Sequence, residues 1–74
     1  MTALVRRFRK LSKAERDAVR AVLVARERWA ATYDSEHFAD YWAAWRRVQS
    51  EARVTVIRVV DRAIDEDLKA TDLA

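Results

Sequence analysis

None of the 74 residues is glycine or proline, and nothing else about the chain limits its fold so sharply. Tight β-hairpins, bulges and phosphate-cradling loops draw on glycine for backbone angles that other residues reach only at a cost, and proline pre-sets many remaining turns. A chain lacking both, and rich in alanine, arginine, glutamate and leucine, is expected to form long helices joined by few turns. The same absence removes the P-loop and dinucleotide-binding fingerprints. Cysteine is missing too, which excludes disulfides, thiolate-bound zinc, iron–sulfur clusters and thiol nucleophiles together. Chains this short bury a modest share of their surface and often lean on disulfides, metals or association. With one histidine, His37, and no cysteine, self-association is the staple that remains.

Apolar residues recur at helical spacing from the start. Leu4, Phe8, Leu11, Ala18, Val22, Ala25, Trp29 and Tyr33 stay on one face at about 100° per residue. Ser12-Lys13-Ala14-Glu15 has the capping-box pattern that ordinarily opens a helix, but the apolar phase runs straight through it. The spacing therefore predicts one helix over about residues 3–32, with a break near Ser12 and a three-helix monomer as the alternative. A second stripe comprises Phe38, Tyr41, Trp42, Trp45, Val48, Ala52, Val56, Val59, Val60 and Ala63. It predicts a helix over about residues 35–69. Within it, Arg53–Val60 is crowded with β-branched residues and alone resembles a strand. It lacks flanking turn residues and a second strand to pair with, and it keeps the helical phase, so it is assigned to the helix.

Six of the seven aromatic residues lie between Trp29 and Trp45, and the turn is placed among them. Asp34 is a favoured N-cap, Glu36 sits where the helix dipole favours negative charge, and Tyr33 and Phe38 flank the cap at staple positions. A single unbroken rod is disfavoured because the second stripe is displaced by roughly 120° from the first. Folding back at Tyr33-Asp34 sets Phe8 opposite Val60, Leu4 opposite Ile64, Glu15 by Arg53, and Arg26 near Asp40 and Tyr41. It also lays Arg6, Arg7, Arg9 and Lys10 beside Asp61, Asp65 and Glu66. The fold expected is all-α: a single domain over residues 1–74, built as a long antiparallel helical hairpin. Two such helices cannot hide stripes this wide by pairing once, so a homodimeric four-helix bundle is expected.

Net charge is +3 and unevenly spread, with the basic residues concentrated early and five acidic ones after residue 60. Arg6, Arg9, Lys10, Lys13, Arg16 and Arg20 lie broadly on the side of the first helix away from its apolar stripe. They form the candidate partner- or nucleic-acid-binding face, against the plainer reading of a solvated charged surface. The outward face of the second helix is mixed to acidic, which makes it a poor recognition helix. Leu4, Val5, Phe8 and Leu11 amid basic residues resemble a lipid-surface segment, but they have ready packing partners in Val60, Ile64 and Leu68. An aromatic cage around Arg46 or Arg47 and a ligand couple of His37 and Asp40 are weaker readings than core packing and a surface histidine. The carboxylates Asp61, Asp65, Glu66 and Asp67 lack the Glu-x-x-His motif of di-iron bundles. No signal peptide or membrane span is evident, so a cytoplasmic location is expected. No nucleophile has an evident catalytic partner, and no cofactor or small-molecule substrate is expected. The functional expectation is a non-enzymatic adaptor, inhibitor or regulatory subunit that binds another protein through the outside of a dimeric bundle, with nucleic-acid binding as the alternative.

Overall fold

The computed structural model describes residues 2–73; Met1 and Ala74, the ends of the expected domain, lie outside the described residues. The chain is all-helical, but it is cut more finely than the stripes imply. Helix α1 spans Ala3–Arg9, α2 Lys13–Thr32, α3 Ser35–Glu51 and α4 Val54–Asp65, and a short 3-10 turn covers Ala70–Leu73. The Cα extents are 33 × 25 × 19 Å. Two paired helices of some 30 residues would reach about 45 Å, so the long two-helix hairpin over 3–32 and 35–69 is replaced by four helices folded on one another.

The first cut falls at Ser12. The Ser12 hydroxyl accepts from the Glu15 N–H at 3.1 Å, while the Glu15 carboxylate accepts from the Ser12 N–H at 2.9 Å. These bonds satisfy donors that a helix start leaves orphaned. Leu11 turns into the core, and the Arg16 guanidinium donates to its carbonyl at 2.6 Å. The expected continuity fails because the capping box satisfies the break locally. Replacing Ser12 by alanine is expected to cost about 0.5–2 kcal/mol, read as a lowered urea midpoint with unchanged helix content.

The second cut has no such signature. Ala52 and Arg53 are both extended, and Arg53, the N-cap of α4, makes no side-chain capping bond. What holds the corner is tertiary. Arg53 Nε and Nη2 donate to the two Glu15 carboxylate oxygens at 2.7 and 3.2 Å, tying the start of α4 to the start of α2. The Glu15–Arg53 pairing expected from the sequence is therefore present, although it braces a corner. The strand-like run becomes α4, and its Val56, Val59, Val60 and Ala63 stripe is fully buried. Redirected by the corner, α4 packs on α2 and α1.

The chain also reverses at Tyr33, whose φ of 54° is left-handed. A non-glycine residue there costs on the order of 1–2 kcal/mol; Tyr33 lies edge-on to Trp29, with ring centroids 5.6 Å apart. Asp34 then caps α3, accepting from the His37 N–H at 2.8 Å. Asp67 is the second left-handed residue. Beyond it the backbone folds back so that Leu73 reaches the core and the Ala70 N–H donates to Glu27 at 3.0 Å. Other expected pairings shift accordingly: Arg26 binds Asp67 at 2.8 Å in place of Asp40, and Glu66 pairs with Arg62.

The core is built mainly from α1, α2, α4 and Leu73, joined by Leu11 and by Val48 of α3; Leu4, Phe8, Val19, Val22, Leu23, Val56, Val59 and Val60 are its main members. Across all 17 residues of α3, only Val48 is fully buried.

Candidate functional site

The six basic residues named from the sequence do not form one open face. Arg16 reaches back to the Leu11 carbonyl. Arg20 lies over the Phe8 ring at 5.0 Å and within 3.6 Å of Asp17. Lys13 is bound to Asp17 at 2.9 Å, and its ammonium is the main reason the Asp17 carboxyl lies below the usual range. Arg16 and Arg20 brace the α1–α2 corner, whereas the Lys13 pair lies within α2. Arg6, Arg9 and Lys10 are exposed on α1 and at its end. A seven-residue helix favours basic groups in its last turn, where the dipole is negative.

The charges of the α2–α4 corner are equally occupied. Glu15 accepts from Arg53 and from the Ser12 N–H, and in this order these bonds hold its pKa at about 2, against an ordinary value of 4.5. Because the folded value is depressed, the resulting stability is present above about pH 4.5 and is lost as pH falls towards 2. Replacing Glu15 by glutamine is expected to lower the urea midpoint at pH 7. The gap to wild type should close between about pH 4.5 and 2, while Asp17 and Asp34, also held below their usual range, keep some acid sensitivity in the variant.

The distinctive surface lies at the other end, around Trp29. Its ring meets Tyr33 and Phe38 edge-on at 5.6 and 5.2 Å and stacks on Tyr41 at 5.9 Å. From Phe38 a ladder continues along α3. Phe38 stacks on Trp42 at 6.4 Å, and the Arg46 guanidinium lies over Trp42 at 5.8 Å. These three recur every four residues, on one edge of the helix. Core packing, the preferred reading of the aromatic cluster, holds only in part: Phe38 is 43% and Trp42 50% exposed. α3 packs mainly on α2, and one helix covers one strip of another. Rings beside that strip remain in solvent.

On the opposite edge of α3, a groove of about 550 Å³ runs along α2, floored by Ala14, Ala18, Ala21, Ala44 and Val48. Its rim charges are spent on neighbours, Arg47 on Glu51 at 3.1 Å and Asp17 on Lys13. Among the described residues no unpaired polar side chain lines the groove to orient a small ligand. His37 is also accounted for: its Nδ1 lies 2.6 Å from the Asp34 carboxylate and 3.3 Å from the Thr32 hydroxyl, a bond within the cap rather than the weaker reading, a ligand couple with Asp40. Among the described residues no three histidine, aspartate or glutamate side chains gather as a metal-ligand set, and no helix is long and apolar enough to cross a membrane.

The aromatic ladder was visible in the sequence as i, i+4 spacing, but spacing alone does not say whether a second helix covers it. Comparison with protein families, curated proteins and solved structures finds no match to this chain, so the functional reading stands on the ladder, the charges and the helices that carry them.

Proposed function

We propose that the chain is a small, non-enzymatic helical interaction module of the cytoplasm. It acts as a homodimer and binds a macromolecular partner through its outer surface, as an adaptor, inhibitor or regulatory subunit. The observation carrying this reading is the half-exposed Phe38–Trp42 ladder on a helix with one fully buried residue. Soluble monomers rarely leave contiguous rings in water without a binding role, and aromatic residues are enriched in the cores of protein interfaces. Light scattering over about a hundredfold dilution tests the association, because a reversible dimer dissociates by mass action. A dimer mass at the upper end is expected; a monomer mass throughout removes the homodimeric reading.

A second reading is supported by Arg6 and Lys10, which are exposed and have no acidic partner among the described residues. With Arg9 and Lys13 they would meet nucleic-acid phosphates with little regard to sequence. Fluorescence anisotropy with a labelled duplex should then show affinity falling with salt at a log–log slope of about −0.9 per phosphate neutralised. Reversing Arg6 and Lys10 should flatten that slope. Absence of binding at low salt discards this reading.

A further inference from the structure

We infer that the aromatic edge of α3 is the homodimer interface, closed by antiparallel packing of α3 on the α3 of a second copy with the two-fold axis at Trp42. This deepens the homodimeric reading above and rests on it. Three observations select a second copy of this chain as the occupant.

The first is the lopsided core. α3, α4 and the Ala70–Leu73 turn cover α2 from within the chain, so the wide stripe of the first half needs no external partner. From Ser35 to Arg47, α3 has no fully buried residue. Helices in proteins owe most of their stability to packing of an apolar face; α3 packs one strip on α2, and its Phe38–Trp42 edge is left uncovered. The accessible surface, 5103 Å², exceeds the roughly 4,700 Å² expected of a monomer of this mass.

The second is the composition of the edge. Ser35, Phe38, Ala39, Trp42, Trp45, Arg46 and Gln49 fall within one strip of α3. A two-fold at Trp42 maps this strip onto itself. Trp42 then meets Trp42 of the second copy, Phe38 meets Arg46, Ala39 meets Trp45, and Ser35 meets Gln49. Large faces small at Ala39 and Trp45, and a ring faces a cation at Phe38 and Arg46. Isologous contacts require this self-complementarity.

The third is charge. The first half of α3 carries Glu36 and Asp40, neither with an ion pair among the described residues, and its second half carries Arg46, which lies over Trp42. An antiparallel partner brings Arg46 of the second copy beside Phe38 and within side-chain reach of Glu36, on the same flank of both helices. A parallel partner would set like charges together. The pair is therefore specific to this orientation, and it occurs twice per dimer.

The test is light scattering and native mass spectrometry on the full chain, with far-UV circular dichroism to verify helix content. Trp42→Glu is expected to raise the dimer Kd by at least about a thousandfold, because an interface tryptophan is a frequent hot spot and the substitution counts twice across the axis. Arg46→Glu and Glu36→Arg are each expected to weaken the homodimer at least about tenfold by setting like charges together. Mixing these two variants restores both opposite-charge pairs, so a mixed dimer should form at near wild-type affinity. This readout survives even if the Trp42 variant does not fold. A wild-type dimer that ignores all three substitutions overturns the α3 interface while leaving the homodimer. Loss of dimer without rescue on mixing overturns the antiparallel register. A wild-type monomer at every concentration overturns the interface and the homodimeric reading together.

Discussion

Replacing Phe8 by alanine is expected to remove a large part of the chain's stability. The Phe8 ring is 1% exposed and is among the largest side chains in the core. Truncating a buried phenylalanine costs about 3–5 kcal/mol, whereas a domain of this length holds roughly 4–11 kcal/mol in all. Two features push the loss to the upper end. α1 has seven residues, far short of the length at which a helix persists by itself, so it stays helical only while Leu4 and Phe8 are docked. Its release uncovers the face of α4 on which it packs. Arg20, which lies over the Phe8 ring, also loses its platform. A urea titration followed by far-UV circular dichroism should show a missing or strongly shifted baseline. Phe38→Ala, measured at concentrations too low for association, should shift the midpoint far less because that ring is already half in water. Equal effects at Phe8 and Phe38 would show that α1 is not part of the cooperative core.

This contrast also shows what the sequence could and could not convey. The stripe positions were legible: Leu4, Phe8, Leu11, Val22, Val48, Val56, Val59, Val60 and Ala63 all reach the core. So were the Asp34 cap and the Glu15–Arg53 pair. Helix continuity was not. Apolar periodicity reports that successive residues face a core, and a chain that breaks and resumes with its stripe still inward keeps the same periodicity. At Ser12 a capping box announced the break and was outweighed by the phase. At Ala52-Arg53 nothing local announced it, since the corner is held by Glu15 from 38 residues away. The glycine-free composition misled in the same way, because Tyr33 and Asp67 take left-handed angles without glycine. Of the candidate site, the basic residues were visible but their employment was not. That Arg16 and Arg20 serve the α1–α2 corner depends on Leu11 and Phe8 being folded against them.

Leu73 to aspartate is the other substitution with a large expected effect, and it probes the turn at Ala70–Leu73 that folds back beyond Asp67. Leu73 has no solvent exposure. The path to it is held by side chains: Asp72 accepts from the Lys69 N–H at 2.8 Å, Glu27 from the Ala70 N–H, and Asp67 from Arg26. Removing the leucine forfeits about 2–5 kcal/mol, as for a large-to-alanine change. A carboxylate in its place cannot stay ionised in an apolar site without a partner. The segment after Asp65 is expected to undock, exposing the part of α2 on which it packs and lowering the urea midpoint by a large fraction of its value. Amide exchange should separate this outcome from global loss, because protection at Ala70 should vanish first and that of α4 should fall only with the whole. Leu68→Asp, at a half-buried position, is the matched control and should cost much less. If both substitutions behave alike, the turn at Ala70–Leu73 lies on the surface in solution, and the core must close at Ala63.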